Sequence, residues 1–227
     1  MLNSRHTQDH IPELGVDEAG RGPLWGPLMA AAVILPNEET WSDEYRDLFI
    51  KIKDSKKISS KKRILIAKKI KEMSLGFGVG YVTPDEIDMW GATVANQTAF
   101  RRAIQDLYSK YTVGDKGIRI LIDGILPLSS LNDGEEQVTI IEGDAKYLSV
   151  AAASIVAKVA HDTWVDDWCK INVADAAKYD LINCKGYGTA KHRDGILKHG
   201  YTDLHRRLYL RKLIPNIIVS RCKLIND

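Results

Sequence analysis

Asp17 and Glu18 stand side by side at the end of an apolar run (Ile11, Leu14, Val16), and Gly20-Arg21-Gly22-Pro23 follows at once. Asp123 ends a second apolar run, Ile118 to Ile122, and Asp144 precedes a long pattern rich in small residues. Carboxylates at element ends are the donors a hard divalent cation takes, because Mg²⁺ binds a few carboxylates and keeps waters and substrate phosphate for the rest. Two such ions about 3.5–4 Å apart activate a water and stabilise the leaving oxygen of a phosphodiester. Spacing alone leaves another reading open, in which each acid is a cap or loop residue; Asp144, just ahead of a helix, fits an N-cap. Carboxylates this far apart in sequence meet only if their strands are neighbours with aligned ends.

The elements that must position them read as follows. Residues 11–18 and 27–35 are predicted strands joined by the Gly/Pro-rich link, and neighbouring side chains in a strand face opposite ways, so Asp17 and Glu18 cannot both point into one core. Residues 37–47 read as an acidic surface connection, and Asp54 to Lys57 as a loop. Ser59 or Ser60 caps a helix with Ile66, Ile70 and Met73 on one face. Phe77 to Val82 is a third strand. Thr83-Pro84-Asp85-Glu86 opens a short helix with a cap residue, then proline, then acids. Ala95 to Tyr108 is a helix, Ile118 to Ile122 a buried strand and Val138 to Ile141 another. A long helix is predicted from Ala145 to about Trp168. A hairpin followed by alternating strands and helices predicts an α/β fold, a mixed sheet flanked by helices. Residues 1–10 are expected to be flexible, 11–170 to form the main domain, and 171–227 to be a small helical appendage packed on it.

The net charge of the 227 residues is +2, which by itself announces no polyanion binder. Its distribution does: Lys51 to Met73 holds ten Lys/Arg against two acids, and Lys185 to Lys212 eight against two. Basic surface beside a carboxylate cluster cancels in the total while still attracting a polyanion locally. The three cysteines (Cys169, Cys184, Cys222) form no CxxC pair, which points to reduced thiols and a cytoplasmic protein. The first ten residues have no apolar core of a signal peptide, and no apolar run is long enough to span a bilayer.

Six motifs occur in one order: Asp17-Glu18-Ala19-Gly20-Arg21-Gly22-Pro23 with Gly26-Pro27; Asp54-Ser55-Lys56-Lys57; Asp123-Gly124; Gly143-Asp144-Ala145-Lys146 leading into Ala151 to Lys158; Gly186-Tyr187-Gly188-Thr189; and His205-Arg206-Arg207. Together, over roughly residues 12–210, they resemble the ribonuclease HII family. The resemblance implies an RNase H-like fold and endonucleolytic cleavage of the RNA strand of RNA–DNA hybrids, including single ribonucleotides embedded in duplex DNA. It implies that Asp17, Glu18, Asp123 and Asp144 hold two Mg²⁺ or Mn²⁺ ions, that the Gly20-Arg21-Gly22 backbone reads the ribose 2′-OH, and that Tyr187 stacks on the sugar. Lys56 and Lys57 match positions that contact phosphate, and Lys146, read as lying one turn into the long helix, is a further candidate. An Asp in the fourth acidic place resembles the HII class more than the related HIII class.

The 2′-OH is the group that separates RNA from DNA at one nucleotide, and a backbone stripped of side chains can approach it closely. Incision 5′ of a ribonucleotide, leaving a 3′-hydroxyl and a 5′-phosphate, is expected. A resolvase-like nuclease of the same superfamily, or a silent hybrid-binding module, would lack the ribose reader or the intact acids respectively. Asp162, Asp166 and Asp167 follow Asp144 by about five helical turns, roughly 27 Å for Asp162, too far to share its metal. Cys184, His192, His199 and His205 fit no tight zinc spacing. Trp25 departs from the smaller residue usual at its place in the family, with packing or substrate contact as its two possible roles. A monomer is expected, and no aromatic-ended clamp-binding motif is evident in residues 221–227.

Overall fold

The computed structural model describes residues 2–52 and 59–219. The Asp54 to Lys57 segment, with Lys56 and Lys57, and the 221–227 tail lie outside the described residues. The centre is a five-stranded sheet in the order β3-β2-β1-β4-β5. Strand β1 (Glu13–Ala19) pairs antiparallel with β2 (Leu28–Ile34), which pairs antiparallel with β3 (Gly76–Val82). On its other edge β1 runs parallel to β4 (Ile118–Asp123), and β4 parallel to β5 (Glu135–Ile140). The mixed sheet flanked by helices is the α/β fold expected.

Alternation along β1 sets the layers. Leu14 and Val16 join Ala30, Ala32, Ile120 and Ile122 beneath α4 (Ala92–Tyr108) and α3 (Pro84–Trp90). On the other face Ala31 and Val33 meet Ala151 to Ala153 and Ile155 to Ala157 of α5 (Leu148–Ile171), with α1 (Asp43–Ile52) and α2 (Ser60–Met73) packed alongside. The α5 backbone passes so close to β1 that a Cβ on Gly15 would stand 2.2 Å from the Ser149 carbonyl carbon. Gly15→Ala is therefore expected to cost about 3 kcal/mol or more, since overpacking here presses on backbone; a denaturation midpoint unchanged from the parent would contradict that contact.

Thr83 and Glu86 form the expected reciprocal cap of α3: Glu86 N–H donates to Thr83 Oγ1 at 3.3 Å and Thr83 N–H to Glu86 Oε2 at 2.9 Å. Four readings need correction. The segment called an acidic connection contains the start of α1, which buries Leu48, Phe49 and Ile52. Strand β5 begins at Glu135, not Val138. Helix α5 begins at Leu148; Gly143–Ala145 is a separate 3₁₀ turn, so Lys146 precedes the helix and its ammonium donates to the Ile141 carbonyl at 2.7 Å. Residues 2–10 are tied down rather than loose: Asn3 exchanges backbone hydrogen bonds with Lys146 and Leu148, and Arg119 grips Asp9 at 2.8 Å, which holds that carboxyl down at about 2.

Beyond the sheet, α6 (Val173–Lys178), α7 (Leu181–Cys184), α8 (Ala190–His199) and α9 (Arg207–Leu210) pack on the far half of α5. Trp25, from the β1–β2 link, is the buried centre of that cluster, 4.7 Å from the Trp168 ring and 5.6 Å from Trp164. Its role is packing. The link and the C-terminal segment are also stitched by backbone bonds from Leu24 to Gly186, Gly26 to Leu204 and Arg206 to Leu24, all 2.8–2.9 Å.

Candidate active site

Because Val16 pairs with Ile122 in the parallel β1–β4 ladder, Asp17 and Asp123 leave the sheet at neighbouring strand ends. The Gly143 N–H donates to Asp123 Oδ1 at 2.6 Å, which brings the turn carrying Asp144 to the same rim. Asp17 points to the α5 side and is buried, and its Oδ1 accepts the Glu18 N–H at 2.7 Å. Glu18 points to the other side and pairs with Arg21 at 3.6 Å. The sequence expectation of opposite faces is met, and helices wall both of them.

Burial, then the repulsion of Glu18 and Asp123, pushes the Asp17 carboxyl well above the usual range. Burial also raises Glu18, with Asp123 adding to the rise against the opposing pull of Arg21. Such acids accept a cation because it relieves their mutual repulsion and repays lost hydration. The donors are all oxygen, as a hard divalent ion requires. Among the described residues no three of His, Cys, Asp or Glu are grouped closely enough to hold a metal ion; Asp17 and Asp123 stand at neighbouring strand ends with Glu18 next to Asp17, and Asp144 is in the turn beside Asp123.

Two hollows meet at this rim. One, of about 420 Å³, is lined by Glu18, Gly20 to Gly22, Arg63, Ser154, Lys158 and Tyr187. The other, of about 340 Å³, runs past Glu18, Arg21, Asn96, Asp123, Ile125 and Ile141. Gly20 has φ +79°, and a Cβ there would lie 2.3 Å from the His161 ring, so both conformation and space demand glycine. A Cβ on Gly22 would meet the Tyr187 ring at 3.7 Å, which sets that ring beside the loop. The Lys158 ammonium lies 5.8 Å from the Tyr187 ring centroid.

Of the predicted site residues, Glu18, Gly20, Arg21, Gly22 and Tyr187 line the first hollow and Glu18, Arg21 and Asp123 the second; Asp17 is buried next to Glu18, and Asp144 lies in the turn that Gly143 ties to Asp123. Asp162 is no ligand: it pairs with Lys158 at 2.7 Å, His161 at 3.2 Å and Arg63 at 3.9 Å. Asp166 pairs with Lys185 and Asp167 with Lys170. Cys184, His192 and His205 do lie together, but their ring nitrogens are turned on one another and on the backbone. Ser154, Lys158, Arg63 and Asn96 were missed as cleft residues. Ser154, Lys158 and Asp162 recur every four residues, a helical stripe legible in the sequence.

The Ribonuclease HII family model matches residues 14–212. A ribonuclease HII of Prochlorococcus marinus (strain SARG) is 41% identical over 199 residues, covering 88% of this chain and 96% of the relative. One from Fusobacterium nucleatum is 40% identical over 202 residues, covering 88% and 86%. In fold, the crystal structure of the ribonuclease H2 from Pyrococcus horikoshii OT3 superposes with a TM-score of 0.67 at 23% identity, over 91% of this chain and 99% of that one. Since the matched span contains every element that builds the cleft, from β1 through Tyr187 to Arg206, this chain belongs to the ribonuclease HII family.

Proposed function

We propose that this ribonuclease cleaves the RNA strand of RNA–DNA hybrids and incises duplex DNA on the 5′ side of a single ribonucleotide, leaving a 3′-hydroxyl and a 5′-phosphate. The observation that carries the reading is that Glu18 and Asp123 on one side and the Gly20-Arg21-Gly22 loop facing the Tyr187 ring on the other line adjoining hollows, with Glu18 and Arg21 common to both. Asp17, Glu18, Asp123 and Asp144 hold two divalent ions, Mg²⁺ or Mn²⁺. When bound, these supply a nucleophile from water and stabilise charge on the leaving oxygen.

The chain itself binds and orients. The Gly20-Arg21-Gly22 backbone meets the 2′-OH, and Tyr187 lies against the sugar. Arg63 and Lys158 add positive potential along the phosphate path, so binding should weaken steeply with salt. Lys56 and Lys57 are proposed phosphate contacts on sequence grounds, and Lys146 would have to release Ile141 to become one. We take the enzyme to be a cytoplasmic monomer, again on sequence grounds; among the described residues no helix is long and apolar enough to cross a membrane.

The test compares a DNA duplex holding one ribonucleotide with its all-DNA counterpart, in Mg²⁺ or Mn²⁺. Cutting of the ribonucleotide duplex alone is expected. Equal cutting of both would favour a resolvase-like nuclease, and binding without cutting a silent module. Tyr187→Ala should lower kcat/KM on the single-ribonucleotide duplex by roughly 10- to 100-fold, the worth of one aromatic stack. Its all-DNA affinity should stay near the parent value; an equal loss on both duplexes would remove Tyr187 from sugar recognition.

A further inference from the structure

Arg206 is wholly buried, yet its guanidinium spends itself on backbone. Nε donates to the Gly26 carbonyl at 2.9 Å, Nη1 to the Arg21 carbonyl at 3.0 Å and Nη2 to the Gly20 carbonyl at 2.7 Å. Burial lowers its pKa to about 10, so it stays charged at neutral pH, with the Tyr209 ring centroid 5.4 Å away. Among the described residues no peptide is cis, and in a trans peptide the N–H points opposite to the C=O. The Gly20 carbonyl shares its peptide with the Arg21 N–H, and the Arg21 carbonyl with the Gly22 N–H. Holding both carbonyls therefore turns both N–H groups away from Arg206, with the positive charge behind them. Both residues are exposed, and among the described residues neither N–H has a backbone acceptor in the loop's hydrogen bonds.

The adjacent residue acts on the other wall. Thr202 N–H donates to His205 Nδ1 at 2.9 Å, so His205 carries its proton on Nε2. That nitrogen lies 3.2 Å from His192 Nε2, which must accept, leaving His192 Nδ1–H to donate to the Tyr187 carbonyl at 2.9 Å. One tautomer of each ring fills every link. Burial lowers the pKa of both rings, and repulsion from His192 adds to it at His205, which is brought down to about 3. A bridge between Trp25 and His205 and the Arg206 N–H bond to Leu24 fasten the dipeptide to the β1–β2 link.

We propose that His205 and Arg206 are the positioning residues of a ribose gate: Arg206 presents the Arg21 and Gly22 N–H groups as a preorganised donor pair, while His205, through His192, fixes Tyr187 opposite them. Two neighbouring residues thus set the gap into which the sugar fits. This rests on the reading that the Gly20-Arg21-Gly22 loop meets the ribose.

The test measures fluorescence-anisotropy affinity for a duplex with one ribonucleotide and for the same duplex as all-DNA, without divalent cation. The parent should prefer the ribonucleotide duplex. Arg206→Lys keeps the charge but loses the planar fork. It should lose about tenfold of that preference, the worth of one charge-assisted hydrogen bond, with all-DNA affinity changed by no more than about twofold. His192→Phe, which deletes the link to Tyr187 at similar volume, should lose part of it. A folded Arg206→Lys protein that keeps the full preference overturns the proposal; a parent without any preference overturns the ribose reading itself. If Arg206→Lys does not fold, the parent's ¹⁵N–¹H signals decide. Those of Arg21 and Gly22 should shift with the ribonucleotide duplex and not with all-DNA, and their remaining still under bound ribonucleotide duplex overturns the proposal.

Discussion

Asp123→Asn is expected to lower turnover at least about a thousandfold, roughly 4 kcal/mol of transition-state stabilisation, while leaving duplex affinity intact. The carboxamide keeps an oxygen to accept the Gly143 N–H, so the turn carrying Asp144 stays in place. What is lost is one negative charge from the donor set that would hold the ions. Losing a negative charge cannot weaken attraction to a polyanion, so affinity should be unchanged or higher. Asp123 also helps push the buried Asp17 and the Glu18 carboxyls upward. Removing that repulsion should leave the metal-free protein at least as heat-stable as the parent. Steady-state kinetics, anisotropy and a thermal melt separate the three effects, and activity within about tenfold of the parent would contradict a metal-holding role for Asp123.

Trp25→Ala is expected to have the largest effect on stability. The side chain is fully buried against Trp164 and Trp168, and truncating a buried Trp costs about 3–5 kcal/mol. For a chain of this size that lowers Tm by roughly 6–20 °C. The loss should also reach the site, because Trp25 lies between the glycine loop and the C-terminal segment that carries Tyr187. A Cβ on Gly186 would stand 2.4 Å from the Trp25 carbonyl oxygen, a measure of how closely the two chains approach. Preference for a ribonucleotide should therefore fall more than all-DNA affinity. Trp25→Phe should be milder, since it loses area but also removes an indole N–H that is buried without a partner. A melt of Trp25→Ala within about 2 °C of the parent would show that this side chain is no anchor.

Strands β1 and β4 were legible because each is an apolar run ended by carboxylates, and those acids were legible for the same reason; β2 was legible as an apolar run set between Gly26-Pro27 and Pro36. The start of β5 was not. Glu135 and Glu136 look like loop residues, but Glu135 is bound by Arg101 and Tyr108, and Glu136 by Arg119. The start of α5 was misplaced because Asp144 resembles a cap, whereas it lies in a separate 3₁₀ turn entered through Glu142 with φ +55°. Residues 2–10 looked loose because their tether is a backbone bridge from Asn3 to Tyr147, which no side-chain pattern records. The role of Arg206 was hidden more deeply: its acceptors are carbonyls about 180 residues away, and carbonyls carry no sequence signal. His205-Arg206-Arg207 was visible as a motif, but what it holds was not.

If the carboxylate rim and the ribose gate act on one phosphate, a duplex with a single ribonucleotide should be nicked once, on the ribonucleotide's 5′ side. Mapping the nick and its termini is the most direct measurement. A 3′-hydroxyl on the upstream DNA and a 5′-phosphate on the ribonucleotide are expected. A 2′,3′-cyclic phosphate, or a nick on the ribonucleotide's 3′ side, would contradict it.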